Sequence, residues 1–225
     1  MQLTTWNCCR GKPEIKLPPL LMIDPDIVAI QETAKPAGAL GRTQAWYGDN
    51  PHQGLLAATY HDFRLEPVSR RRTIAKFFFP LRVTGAARFN LLNVWVKPSI
   101  GPGRYMETLL RGITAYRDFI NSGHTIVLGD LNSAAYFGPR HLEFVEMMRK
   151  EFGLHSAYHE YFAVKHGDET HFTYFDRTQY RRPYHLDYCF IPGSWLGKLN
   201  RVEVGQHKVW SKLSDHMPLT IELNK

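Results

Sequence analysis

The sequence predicts an α/β layered fold, with two mostly antiparallel β-sheets packed together and helices on the outside. Three observations carry this expectation. Short strand-like apolar runs outnumber helical ones. The helical segments fall between strands rather than in one block. Clusters of carboxylate, amide and imidazole side chains recur where apolar runs end. At 225 residues, with 44% hydrophobic and 22% charged residues, the chain is long enough for a sizeable core, and one domain over residues 1–225 is expected.

The elements read as follows. Residues 1–7 form a strand ending at Asn7. The paired prolines in Lys12–Pro19 argue against a long helix there. Asp24-Pro25-Asp26 is a turn, and Ile27–Gln31 is a buried strand that delivers Glu32 at its end. Residues 53–60 and 63–69 suggest a hairpin across His61-Asp62. Phe77–Phe79 and Arg88–Val96 are further strands. In Arg104–Ile120, apolar residues at helical spacing (Met106, Leu109, Leu110, Ile113, Tyr116 and Ile120) predict a helix ended by Gly123. Thr125–Leu128 is a β-rich run leading into Gly129-Asp130. Arg140–Phe152 carries Leu142, Val145, Met148 and Phe152 on one helical face. Tyr184–Ile191 and Leu219–Leu223 are late strands.

Composition narrows the partners. A formal net charge of +7 favours polyanions such as nucleic acid or anionic headgroups. Cys8 and Cys9 are adjacent and Cys189 lies in an apolar run, so neither a disulfide framework nor a zinc spacing is expected. No secretory signal is visible at the N-terminus, and no apolar run is long enough for a membrane span. These features favour a cytoplasmic setting.

Five polar clusters sit at the ends of apolar runs: Trp6-Asn7, Gln31-Glu32-Thr33, Gly129-Asp130-Leu131-Asn132-Ser133, His185-Leu186-Asp187-Tyr188 and Ser214-Asp215-His216-Met217-Pro218. Together they hold what a metal-assisted phosphodiester site requires. Such a site binds a divalent cation, activates water and neutralises charge on the phosphorane-like transition state. Glu32 and Asp215 are natural oxygen ligands for Mg²⁺. Asp130 and Asn132 alternate along an extended chain and would point to one side, a carboxylate for water beside an amide for phosphate. His216 as an imidazolium would stabilise a phosphate oxygen, held by Asp187. Each piece also has a plainer reading: Gly-Asp-x-Asn as a turn, Asp215 as a loop residue, His216 as a surface histidine. Asp187 resists it most, because an unpaired carboxylate in an apolar run is costly.

The order of these blocks resembles the endonuclease/exonuclease/phosphatase superfamily, closest in type to exonuclease III and the apurinic/apyrimidinic endonucleases. Ile126–Ser133 is similar to that family's Gly-Asp-Phe-Asn motif, and Ser214–Pro218 to its Ser-Asp-His-x-Pro ending. Pro25–Thr33 is similar to its Pro-Asp-Ile…Gln-Glu block, and Leu186-Asp187-Tyr188 to its Ile/Leu-Asp-Tyr. The resemblance spans Asn7 to His216. It implies a four-layer α/β sandwich and single-displacement hydrolysis with Mg²⁺, or Mn²⁺ in its place. Asn7 would contact phosphate or a metal-bound water, and Glu32 would be the principal metal ligand with Asp215 nearby. Asp130 would orient or deprotonate the water, assisted by Asn132. His216 would stabilise the transition state, held by Asp187.

The chain departs from the family in two places. Cys9 stands where the nuclease branch often has an acidic residue. Trp95 stands where a Tyr or His commonly follows Asn93-Val94. Phosphate contact there passes to Lys97 or to Tyr105, and Trp95 reads either as a substrate contact or as a core aromatic. The implied function is a DNA hydrolase, a 3′–5′ exonuclease or abasic-site endonuclease of DNA repair. Its expected partner is duplex DNA, abasic duplex included, with no stable membrane association and no obligate protein partner. Its expected place is bacterial-type cytoplasm, at the nucleoid while acting. The alternative is a phosphatase or phosphodiesterase for inositol phosphates, phospholipid headgroups or another small phosphate ester. Arg181 and Arg182, in the basic, tyrosine-bearing stretch 177–184, are the candidates for gripping DNA phosphates. Arg70–Arg72 add charge, and Phe172 and Tyr174 are candidates for the wall of a sugar pocket.

Overall fold

The computed structural model describes residues 1–69, 76–98, 104–176 and 182–224. Its first two strands, β1 (Gln2–Asn7) and β2 (Ile27–Thr33), run parallel, with Leu3 opposite Ile27 and Asn7 opposite Gln31. A parallel pair needs a crossover, and α1 (Pro13–Leu21) supplies it. Pro13 occupies the first turn, where no N–H is required. Pro18 and Pro19 lie inside the helix and lack the N–H donors that would extend its ladder. The prolines therefore keep this helix short rather than prevent it.

The hairpin expected across His61-Asp62 does not form. β4 (Gln53–Thr59) is flanked by β2 on one side and by β3 (Thr43–Asn50) on the other, so neither edge is free. The chain turns at His61, which has a positive φ of 49°, and enters the second sheet. There β5 (Phe63–Pro67) pairs with β6 (Phe78–Gly85).

Six more strands complete the sheets: β7 (Phe89–Trp95), β8 (Thr125–Asp130), β9 (Leu154–Ser156), β10 (Asp187–Pro192), β11 (Leu199–Val204) and β12 (Leu219–Leu223). The first sheet has the order β11-β12-β1-β2-β4-β3 and the second β5-β6-β7-β8-β10-β9. Among the described residues, the parallel pairs are β1–β2 and β7–β8; the other pairs are antiparallel, as expected.

Strand alternation sorts the apolar residues into three layers of core. Leu3, Ile27, Ala29, Leu91, Ile126 and Leu128 face the gap between the sheets. Trp6, Val28 and Ile30 face outward against Leu17 and Leu20 of α1 and Trp210 of α6 (His207–Trp210). On the other outer face, Leu92, Val94 and Val127 meet α2 (Arg104–Ala115), α3 (Arg117–Asn121) and α4 (Arg140–Phe152). Burying each such side chain contributes about 1.5–3 kcal/mol. The stack helix–sheet–sheet–helix is the expected four-layer sandwich.

The long helix expected over Arg104–Ile120 breaks at Tyr116, whose backbone leaves helical values (φ −104°, ψ 15°). The Tyr116 hydroxyl donates to the Phe78 carbonyl at 3.2 Å and its ring stacks on Phe78, so tertiary contacts offset the break. α4 has the expected bounds but buries His141, Phe144 and Met148, leaving Leu142 of the expected face 48% exposed; it ends at Gly153, whose φ of 62° and N–H to the Met148 and Arg149 carbonyls form a left-handed cap. α5 (Ala157–Phe162) packs against β10 and β11. No described helix is long and apolar enough to cross a membrane.

Candidate active site

The polar strand ends converge for a topological reason. Asn7 ends β1, Asp130 ends β8, and Glu32 lies next to the end of β2. Asp187 begins β10, but β10 runs antiparallel to β8, which sets Asp187 opposite Asp130. His216 precedes β12, which runs antiparallel to β1. All five therefore reach one end of the sandwich.

Asn7 joins the sheets there. Its Nδ2 donates to Glu32 Oε1 at 3.1 Å and to Asp130 Oδ2 at 2.9 Å. Its Oδ1 accepts the Cys9 backbone N–H at 3.0 Å, which fixes the amide orientation. Glu32 has a positive φ of 60°, and the β2–β4 register shifts between Ile30 and Thr33. Such a bulge re-aims a side chain. Gln31 points inward, its Nε2 donating to Asn93 Oδ1 at 2.8 Å, while Glu32 Oε2 accepts from Gln53 Nε2 at 3.0 Å.

Asp130 is fully buried. Its Oδ1 accepts the Asn132 backbone N–H at 2.9 Å, and its Oδ2 accepts Asn132 Nδ2 at 2.8 Å. The extended alternation expected for Asp130 and Asn132 is not what brings them together. Asn132 adopts a left-handed φ of 48°, and the Asp130 carboxylate caps the turn this makes. Asn tolerates that region better than most residues. Gly129, with φ 132°, is required: a Cβ there would run into the Val94 carbonyl across the β7–β8 pair.

Asp187 Oδ2 lies 2.7 Å from His216 Nδ1. The backbone N–H groups of Leu186 and Asp187 donate to Thr173 Oγ1, while Asp187 Oδ1 is buried with no hydrogen-bond partner among the described residues. His216 is locked further by Ser214 Oγ on its N–H at 3.0 Å and by Trp6 Nε1 on its carbonyl at 2.9 Å. Tyr174 packs on its ring at a centroid distance of 4.8 Å.

These surroundings set the charges. Burial alone would lower His216, but Asp187, Asp130 and the Asp187 hydrogen bond outweigh it and push it up to about 10. Burial pushes Asp130 up to about 7, opposed by the His216 charge and assisted by that of Asp187. A carboxylate poised near neutrality beside a fixed imidazolium suits a water-activating base and an acid for developing negative charge. Donor atoms of Asp130, Asp187 and His216 lie within 4.8 Å of one another, one of two groups among the described residues that could hold a metal ion.

A cleft of about 1770 Å³ opens over this array. Glu32, Asp130, Asp215 and His216 line it, as do Lys97 and Tyr105. Trp95 is both cleft wall and core: it is 4% exposed, packs on Phe77 at 4.8 Å, and carries the Lys97 ammonium 4.5 Å from its ring centroid. Arg182 is exposed and lies over the Tyr136 ring at 5.4 Å. Arg181 and Arg70–Arg72 lie outside the described residues.

Several residues here escaped the sequence reading. Gln53 supports Glu32 from the next strand, and nothing in its own neighbourhood in the sequence marks it. Thr173 fixes the backbone at Asp187, as Ser214, already singled out in its block, does at His216. Tyr136 and Phe137 form an exposed aromatic shelf with Tyr184, with ring centroids 5.0–6.1 Å apart. Their adjacency, three residues after Ser133, is the signal that was available.

No family model matches the chain, and no curated relative matches it. Solved structures do. The 3′ phosphatase NExo from Neisseria, bound to product DNA hairpin, aligns over 100% of both chains at 17% identity with a TM-score of 0.74. The 3′-5′ exonuclease NExo from Neisseria meningitidis aligns over 100% of both at 19% identity and a TM-score of 0.73. An AP endonuclease from Archaeoglobus fulgidus aligns over 100% of both at 15% identity and a TM-score of 0.75. Over its whole length, the chain has the fold of these exonuclease and AP endonuclease structures.

Proposed function

We propose that the chain is a divalent-metal-dependent phosphodiester hydrolase acting on DNA, as a 3′–5′ exonuclease, an abasic-site endonuclease or both, in the manner of exonuclease III. One observation carries the reading. Asn7 ties Glu32 of one sheet to Asp130 of the other, while Asp187 holds a charged His216 beside Asp130. This convergence around one cleft supports reading Glu32 as a cation ligand, Asp130 as the carboxylate for water and His216 as the imidazolium for phosphate.

The donors fit a hard cation, because the carboxylate residues Glu32, Asp130 and Asp215 all line that cleft. Mg²⁺, or Mn²⁺ in its place, would be held by Glu32 and Asp215 and would supply Lewis-acid charge at a phosphate oxygen. Asp130 receives the proton of the attacking water, held in place by Asn7 and Asn132. His216 donates to a non-bridging phosphate oxygen, and Asp187 keeps it protonated and oriented. Lys97 and Tyr105, which also line the cleft, bind flanking phosphate.

DNA is favoured over a small phosphate ester by the shelf of Tyr136, Phe137 and Tyr184, with Arg182 over it, a surface suited to stacked bases and a backbone phosphate. The net charge of +7 and the DNA-bound Neisseria structure support the same reading. A cytoplasmic place at the nucleoid accompanies that substrate. The test compares three substrates with Mg²⁺ and with EDTA: duplex with one abasic site, duplex with a recessed 3′ end, and inositol phosphate. Metal-dependent cleavage of either duplex is expected. Phosphate release from the inositol ester with both duplexes intact would overturn the DNA reading.

A further inference from the structure

Two backbone segments that carry site residues are joined from outside the cleft. The end of β1 carries Asn7, and the segment before β12 carries Asp215 and His216. Ser214 Oγ donates to the Asn7 carbonyl at 2.7 Å, and Trp6 Nε1 to the His216 carbonyl at 2.9 Å. A third link comes from α1. Lys16 Nζ donates to the Cys8 carbonyl at 2.9 Å and also to the Leu213 carbonyl. Cys8 is the residue after Asn7, and Leu213 the residue before Ser214.

The fold builds this place around the lysine. Lys16 is half-buried and lies four residues before the buried Leu20, so the two share a helix face. Beyond Cys8 the chain passes through three consecutive left-handed residues, Cys9, Arg10 and Gly11, with φ of 51°, 67° and 104°. Cys9 and Arg10 meet a steric cost there that surrounding contacts must offset. The loop closes on the lysine stem: a Cβ at Gly11 would lie 3.0 Å from Lys16 Cε. The Gly11 carbonyl accepts the Ala34 N–H at 3.0 Å, two residues after Glu32. An ammonium carries three donors on a long stem, so one side chain serves carbonyls of two segments, and such charge-assisted bonds are stronger than neutral ones.

We infer that Lys16 is a positioning residue for the proposed reaction, setting Asn7 against Asp215 and His216 by gripping one carbonyl near each. It acts through the backbone and touches neither cation nor phosphate. The inference rests on the phosphodiesterase reading. Asn7 ties Glu32 to Asp130, so a shift of the β1 end against the segment before β12 changes the spacing between those carboxylates and the His216 ring. A misplacement of about 1 Å costs roughly 100-fold in rate.

The test uses the full-length protein with Mg²⁺ and whichever duplex wild type cleaves better. Lys16→Met keeps the stem against Gly11 and removes the ammonium. Its kcat should fall roughly 10- to 100-fold, with KM within about twofold of wild type. Lys16→Met and Ser214→Ala act on one joint, so the double variant should lose clearly less than the product of the two single losses. NMR of the lysine ammonium groups needs no variant: in wild type, the Lys16 protons should exchange with water far more slowly than those of the exposed Lys12. A Lys16→Met protein with a lowered Tm but wild-type kcat would make Lys16 a stabilising residue alone and overturn the inference. Strictly multiplicative losses in the double variant, or a Lys16 ammonium exchanging as fast as that of Lys12, would overturn it too. Wild type that cleaves neither duplex would overturn the phosphodiesterase reading itself, an outcome distinct from active wild type with an unaffected Lys16→Met.

Discussion

Asp187 and His216 are joined at 2.7 Å between Oδ2 and Nδ1, with the carboxylate wholly buried and the opposite nitrogen of the ring left for the cleft. The pair links the edge of β10 to the segment before β12, and so one sheet to the other. Asp187→Asn should lower kcat by roughly 100-fold or more, since it removes the charge that keeps His216 an imidazolium. KM should change far less. Single-turnover hydrolysis measures this, and a near-wild-type kcat would remove the orienting role.

The same pair makes stability depend on pH. His216 is raised from its ordinary value near 6.5 to about 10 in the folded protein. A raised histidine contributes stability that is fully present below the unfolded value and is lost as pH rises through the folded value. Metal-free protein should therefore lose this contribution between about pH 6.5 and 10. Denaturant midpoints across that range, compared with His216→Asn, should show a shallower decline in the variant.

Asp130→Asn tests water activation. The amide fills nearly the same volume but cannot take the proton, so turnover should drop roughly 100- to 10,000-fold with DNA binding retained. Chelation by EDTA should abolish turnover in wild type, and Mg²⁺ or Mn²⁺ should restore it. Turnover that persists in EDTA would rule out the cation reading.

Gly129→Ala tests the backbone of the site. The strained φ alone should cost about 1–3 kcal/mol, and the clash with the Val94 carbonyl adds to it. A drop in thermal midpoint accompanied by reduced activity is expected. Wild-type stability would show that the β7–β8 pair yields more readily than its geometry implies.

Tyr136→Ala and Phe137→Ala test the aromatic shelf. Stacking of a base on an aromatic is worth about 1–3 kcal/mol, so each change should weaken DNA binding roughly 5- to 150-fold with little effect on folding, as both side chains are exposed. Fluorescence anisotropy with duplex and single-stranded DNA reads it out.

The site was legible to the extent that its residues travel in short local blocks. Asp130-Leu131-Asn132 and Asp215-His216 can be read as candidate chemistry because each block sets its polar side chains side by side within a few residues. The supporting partners were not legible, because their contacts are long-range. Gln53 meets Glu32 only across the β2–β4 pair, and Trp6 reaches the His216 carbonyl across 210 residues. Pairing was the weakest part of the fold reading. β4 and β5 were both foreseen as strands, yet alternation of apolar residues says which face is buried, not which neighbour is bonded.

The sequence by itself determined the layered α/β class, most strand positions, the α4 helix and the residue types of the site, because these follow from local periodicity and local motif spacing. Tertiary structure alone decided the split of β4 and β5 between two sheets, the break at Tyr116 and the left-handed turns at Glu32 and Asn132. Each of those has a local cost in strain or lost hydrogen bonding. Only contacts made far along the chain offset it, and such contacts exist only once both sheets have formed.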